Sequence, residues 1–223
     1  ATTYQYRMAD DPACGGQTGA CAWRKGDLWK VANPLGQTME TLRRDGNARP
    51  LSVRDANGIV TDFEYDPAGR LTARKTRGTN DGSEADDRIT RMSYWPTGEI
   101  RRITQPDGTW TEYSYDSAHR LTGVADHIGN TITYSLDAAG ERTSEQTRDH
   151  VGSLRRSLTR AYNTLGQLQS QTDAYQRATT FSYDNNGNLD RTTDALQRVT
   201  DNDYDALGRL KRMLQNATGG QGN

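Results

Sequence analysis

Apolar and polar residues alternate along this chain in short runs separated by turns rich in Asp and Gly. Ile59, Thr61, Phe63 and Tyr65 fall on one side of an extended segment, and Val60, Asp62 and Glu64 on the other. Thr111, Tyr113 and Tyr115 oppose Trp110 and Glu112. Ile132, Tyr134 and Leu136 oppose Thr131, Thr133 and Ser135, and Thr179, Phe181 and Tyr183 oppose Thr180 and Ser182. Successive side chains of a strand point to opposite faces, and Thr and Tyr suit a pleated surface, so each run predicts a half-buried β-strand. No window of comparable strength has helical spacing.

The runs repeat. Tyr65-Asp66-Pro67-Ala68-Gly69-Arg70-Leu71 returns as Tyr115-Asp116-Ser117-Ala118-His119-Arg120-Leu121, as Tyr183-Asp184-Asn185-Asn186-Gly187-Asn188-Leu189, and as Tyr204-Asp205-Ala206-Leu207-Gly208-Arg209-Leu210. Weaker copies start at Tyr94, Leu136 and Tyr162, with turn glycines Gly98, Gly140 and Gly166. The anchors at 65, 94, 115, 136, 162, 183 and 204 give intervals of 29, 21, 21, 26, 21 and 21. Polar insertions near 78–88 and 149–156 account for the two long intervals, and a third near 8–25 carries both cysteines. Leu42 with Gly46, and Tyr6 with Gly26-Asp27-Leu28, read as degenerate anchors, so nine units cover residues 1–223.

A period of 21 suits two strands and two turns. In the first turn the Asp side chain can bond its own backbone two residues on, while Gly tolerates positive φ. His119 takes the Gly position in one copy. The second turn reads Asp55-Ala56-Asn57-Gly58, Asp126-His127-Ile128-Gly129, Asp173-Ala174-Tyr175-Gln176 and Asp194-Ala195-Leu196-Gln197. The fold class predicted is all-β: tandem antiparallel hairpins in a long sheet of roughly 18 strands, which twist forces to spiral. One face is semi-apolar and the other wet, with neighbouring repeats burying one another.

Composition supports a thin core. Leu, Ile, Val and Phe make up 30 of 223 residues, or 13%. That is below the roughly 20% at which disorder becomes a serious reading. Disorder also needs high net charge, and here 28 basic and 29 acidic residues nearly cancel, while 11 Tyr and 4 Trp replace part of the aliphatics. No run approaches the length of a membrane helix, and no basic start followed by an apolar run marks a leader. Both ends read as cuts through a longer protein. The basic residues are nearly all Arg and are interleaved with Asp and Glu, so they read as solvated strand faces and not as a nucleic-acid groove.

The motifs YDPAGRL, YDSAHRL, YDNNGNL and YDALGRL, recurring in register, resemble the YD-repeat family, the repeats of Rhs proteins and of the shell components of insecticidal Tc toxins. The resemblance covers nearly the whole chain. It implies a β-sheet that spirals into a hollow shell, of which this chain would be an arc. In that family the shell encloses a C-terminal toxic polypeptide and the parent carries a self-cleaving core motif, of which these residues show no counterpart. The expected partners are therefore the remaining repeats and a C-terminal effector of the same polypeptide, and the expected location is that of a secreted or exported bacterial protein.

Candidate chemistry is sparse. Tyr65, Asp66, Gly69, Tyr115, Asp116, Tyr162, Gly166, Tyr183, Asp184, Gly187, Tyr204, Asp205 and Gly208 recur in every unit or nearly so, which assigns them to the turns and not to catalysis. The acidic insertion 80–87 offers more oxygen ligands than any turn, but reads as a solvated loop. His119, His127 and His150 lack zinc spacing. No catalytic residue, metal site or cofactor is predicted. Cys14 and Cys21 bracket six residues, three of them Gly, and are expected to form a disulfide stapling the insertion. Two functions follow: a structural, non-catalytic wall segment around a toxin, or a cell-surface or glycan-binding module in which Trp95, Trp110 and Tyr175 stack on sugars.

Overall fold

The computed structural model describes residues 1–15, 21–79 and 83–216. Two compact units, Ala1–Trp110 and Thr111–Asn223, divide the chain. The first contains β1 (Thr3–Tyr6), β2 (Leu28–Ala32), β3 (Thr38–Arg44), β4 (Pro50–Arg54), β5 (Val60–Tyr65), β6 (Leu71–Thr76), β7 (Arg88–Tyr94) and β8 (Ile100–Thr104). β9 (Trp110–Tyr115) opens the second, apart from its first residue. There follow β10 (Leu121–Asp126), β11 (Thr131–Leu136), β12 (Arg142–Arg148), β13 (Leu154–Tyr162), β14 (Leu168–Asp173), β15 (Ala178–Tyr183), β16 (Leu189–Thr193), β17 (Val199–Tyr204) and β18 (Leu210–Asn216). Among the described residues the sole helical element is one 3-10 turn, Pro12–Gly15.

Each unit is an antiparallel meander. In the first, every strand from β1 to β8 pairs with the next. The second repeats this from β9 to β18. The strands are all-β and antiparallel as the alternation predicts. Turns therefore fall alternately on two rims of each unit.

Within each unit the motif turns share one rim. The register slips by one residue next to each anchor: Glu64/Tyr65, Ser93/Tyr94, Ser135/Leu136, Ala161/Tyr162, Ser182/Tyr183 and Asp203/Tyr204. A four-residue turn ending in a left-handed residue produces such a bulge. Gly69 has φ 86° and Gly187 84°, and His119 takes the same geometry at 63°.

One sequence expectation is corrected and one is made specific. Leu42 and Gly46 are not an anchor pair. The turn is Asp45-Gly46-Asn47-Ala48, with Ala48 left-handed at φ 64° and its N–H donating to the Asp45 carbonyl at 3.0 Å. The pull of a visible glycine shifted the reading by two residues. The insertion near 149–156 takes the form of strand, not of a longer loop. Asp149–Gly152 is an ordinary turn, Gly152 N–H to Asp149 O at 2.8 Å, and the extra residues lengthen β12 to seven residues and β13 to nine. Leu154, Arg156 and Ser157 of the extension pair with β12, and Arg155 lies at the register slip between them.

The core is thin. Val60, Ala73, Leu158 and Ser52 are the buried residues among those described. In the first unit, Ser52, Val60 and Ala73 share the face opposite Phe63. There Ser52, Asp62, Lys75 and Ile89 form one cross-strand row, and Glu64, Ala73, Arg91 and Thr104 another. In the second unit the face opposite Tyr134 and Phe181 carries the rows Ser135, Ser144, Thr159, Thr172, Ala178 and Ala161, Ser170, Thr180, Thr193, Val199.

Candidate functional site: a ladder of turns along one rim

Each motif turn closes on itself through its aspartate. At Asp205 the backbone N–H donates to Arg209 O, and the Gly208 N–H donates to Asp205 O, both at 2.9 Å. One carboxylate oxygen accepts the N–H groups of Leu207 (2.9 Å) and Arg209 (3.0 Å), and the other accepts Arg209 Nε at 2.7 Å. Asp66 and Asp116 bind Arg70 and Arg120 in the same way. The backbone N–H four residues on, helped by the guanidinium, holds the carboxyls of Asp66, Asp116 and Asp205 below the usual range. Asp184 is held low by the side-chain amide and backbone N–H of Asn188.

The residue after the turn glycine links one repeat to the next. Arg49 lies 4.7 Å from the Tyr65 ring centre, and Arg70 4.6 Å from that of Tyr94. Each tyrosine hydroxyl then donates to the carbonyl of the residue that follows that linking position. Tyr65 reaches Pro50 O (3.1 Å), Tyr94 Leu71 O (2.7 Å), Tyr162 Arg142 O (3.2 Å), Tyr183 Leu168 O (3.0 Å) and Tyr204 Leu189 O (2.9 Å). The linking side chain also lies over the next turn glycine. A Cβ on Gly69 would collide with the Arg49 guanidinium, and one on Gly166 would sit 2.7 Å from Glu141 Oε1. Glycine is favoured there for its positive φ, while the linking side chain lies close enough above it that a larger residue would make it move aside.

Sequence reasoning placed Tyr, Asp and Gly at the turns but read the arginines as solvated faces. The signal was available: Arg follows the turn residue at 70, 120 and 209, and also at 49, 177 and 198. Strand alternation cannot explain a cation at one fixed offset from a turn aspartate. Tyr115 ends β9 opposite Leu121.

The remaining candidates do not converge. Trp95 fills the Asp position of its turn, with Arg101 4.8 Å from its ring, and Trp110 is covered by Arg102 at 4.3 Å. Tyr175 stands on the opposite rim, 81% exposed. A cleft of about 280 Å³ in the first unit is lined by Arg43, Asp62, Glu64, Lys75, Arg77 and Glu84 among others. Most of its charges are paired with one another: Lys75 with Glu64 and Glu84, and Arg77 with Asp62. In the acidic insertion, whose residues 80–82 lie outside those described, Asp86 accepts the Thr79 N–H and Asp87 the Gly78 N–H. No group of three metal-ligating side chains occurs among the described residues. Cys14 and Cys21 are joined by a disulfide.

A ladder that recurs in register is itself the diagnostic feature, and the model of the RHS repeat matches it at residues 44–80, 94–127, 115–151 and 162–199. This chain belongs to the RHS repeat family. Over 154 residues it is 27% identical to double-stranded DNA deaminase toxin A of Burkholderia cenocepacia (strain H111), a match covering 60% of this chain and 10% of that protein. It is 28% identical over 127 residues to the Probable deoxyribonuclease RhsB of Dickeya dadantii (strain 3937), covering 54% and 9%. The RHS chain thus spans about a tenth of the length of these relatives. Its fold is shared with the crystal structure of TcdB2-TccC3-TEV (TM-score 0.51, 15% identity, 97% of this chain and 14% of that one). The same holds for TcdB2-TccC3 without its hypervariable C-terminal region (TM-score 0.53, 19% identity, 82% and 10%).

Proposed function

We propose that this chain is a structural, non-catalytic wall segment of an RHS shell that encloses or presents the C-terminal toxin of an exported bacterial polypeptide. The observation that carries the reading is the ladder, in which the recurring Asp closes each turn on itself while the Tyr hydroxyls and the linking side chains tie one repeat to the next. Such side chains are committed to geometry, and no group of three metal-ligating side chains occurs among the described residues. Twist accumulating over many strands would curve the wall, and a thin core suits a layer with one wet face. The match to toxins over about a tenth of their length supports a segment role. Their named activities then belong to parts outside the repeats.

The test is protease protection in the parent polypeptide. The segment after the repeats is expected to survive digestion in the wild type and to be cut when Tyr65, Tyr183 and Tyr204 are replaced by Ala. A parent without a following effector segment, or one equally cut in both forms, overturns the reading. Saturable glycan binding lost on Tyr175→Ala would favour recognition instead.

A further inference from the structure

The insertion between β1 and β2 is spliced into a rim turn without altering its closure. Arg7 N–H donates to Asp27 O at 2.8 Å and Gly26 N–H to Arg7 O at 2.9 Å, the pair of bonds that Asp205 and Gly208 make. Its described residues, Met8–Gly15 and Cys21–Lys25, are tied to one another and, through the Ala22 carbonyl accepting the Arg44 N–H at 2.6 Å, to β3. Asp11 accepts the Ala22 N–H at 2.9 Å and Asp10 the Lys25 N–H at 2.7 Å. The Trp23 carbonyl accepts the Asp11 N–H at 3.2 Å, and the joined sulfurs of Cys14 and Cys21 lie 3.4 and 3.1 Å from that same oxygen.

Trp23 has a charge to cover. The Arg7 guanidinium carbon lies 4.2 Å from the Trp23 ring centre and 4.8 Å from that of Trp29. Arg7 Nε is buried and has no hydrogen-bond partner among the described residues. A buried charged donor without a partner is costly, so the two aromatic faces are what compensate it.

We propose that the Cys14–Cys21 disulfide is a redox latch that keeps Trp23 on Arg7. A dithiol reductant breaks the S–S bond, gives two electrons and two protons to the cysteines and closes to its own disulfide. The two thiols, no longer bonded, must separate to roughly 3.5–4 Å. Both sulfurs pack on the Trp23 carbonyl, so their separation moves Trp23, uncovers Arg7 and frees the Arg24–Lys25 segment. The Arg7–Asp27 and Gly26–Arg7 bonds lie outside the latch, and the sheet stays folded. Trp23 then covers Arg7 in an oxidising compartment and uncovers it in a thiol-rich one.

Trypsin digestion of the whole chain, oxidised against dithiothreitol-reduced, tests this by mass spectrometry. Cleavage after Arg24 and Lys25 is expected to rise about tenfold on reduction, with the far-ultraviolet β signal unchanged. The Cys14→Ser/Cys21→Ser chain without reductant, and the oxidised Trp23→Ala chain, are expected to cut at the fast rate. Equal rates in oxidised and reduced protein overturn the latch. So does a slow Trp23→Ala chain, since the tryptophan would then hold nothing. Loss of the β signal on reduction overturns it as well, because the disulfide would be a general staple. Two free thiols in the non-reduced chain remove its premise.

Discussion

In the first unit the face opposite Phe63 and Tyr65 is a lattice of ion pairs, whereas in the second the face opposite Tyr134 and Phe181 is lined mainly by hydroxyls, with the ion pairs Arg191–Asp201 and Arg212–Asp203 toward its last strands. Glu40 bridges Lys30 (2.9 Å) and Arg54 (3.5 Å), and Lys75 bridges Glu64 and Glu84, with Arg91 3.5 Å from Glu84. These long side chains lie over small residues and bury them: Ala73 is wholly inaccessible. In the second unit Ser, Thr and Ala occupy the rows, and Thr133, Thr159 and Thr180 stay exposed. The rim ladders differ in part, since Arg120 of the second unit still links its turn to Asp137 O at 2.9 Å. Arg49 and Arg70 stack on tyrosines in the first unit, while Gln167 and Asn188 hold the linking positions in the second through Asn163 and Asp184. One hairpin thus tolerates two chemistries on its wet face because neither the ladder bonds nor the bulge depends on that face.

Acid is expected to separate the units most. Turn aspartates with depressed pKa number two in the first unit, Asp45 and Asp66. The second has seven: Asp116, Asp126, Asp149, Asp173, Asp184, Asp194 and Asp205. A carboxyl whose folded pKa lies below its unfolded value of about 3.9 contributes fully above that pH and loses the contribution as pH falls through the folded value. Amide signals of the second unit should therefore be lost at higher pH than those of the first when the full chain is titrated from pH 7 to pH 2. Simultaneous loss would break the comparison.

Next comes packing under the charges. Ala73→Leu should destabilise by roughly 2–3 kcal/mol in urea unfolding, since the added atoms have no room. Ala161→Leu, on the exposed hydroxyl face, should stay within about 0.5 kcal/mol. Equal effects would mean that the ion-pair lattice does not close over its small residues.

The ladder links are weaker still. Tyr183→Phe should cost about 1 kcal/mol by stranding Leu168 O. Arg70→Gln should cost a similar amount through the lost stack on Tyr94 and the lost pair with Asp66. Asn163→Asp with Gln167→Arg, which builds the first unit's rung into the second, should change stability by no more than a few tenths of a kcal/mol. Gly123→Ala is the smallest. Its Cβ would meet Ser114 Cβ and Ile132 O at 3.6 Å, ordinary contact, so a gain of about 0.5 kcal/mol from chain entropy is expected.

Strand placement was readable because period-two alternation and turn chemistry are local. Tyr65, Tyr183 and Tyr204 end strands, and Asp66, Asp184 and Asp205 cap turns, as their motif implies. The anchor near residue 44 was misread because Ala48 adopts a left-handed conformation that sequence assigns to glycine. The insertion near 149–156 was legible as extra residues but not as strand, because Ser, Arg and Thr are as common on a wet strand face as in a turn, and the structure uses them to lengthen β12 and β13.

What the sequence determined by itself was the hairpin, its period and its turn residues, all set by interactions within about five residues. What the tertiary structure alone decided was the link between hairpins. The Arg49 side chain over Gly69 and Tyr65, and the Tyr65 hydroxyl on Pro50 O, join residues 15 to 20 apart. Those contacts exist only once the strands have paired, because pairing brings one turn beside the next.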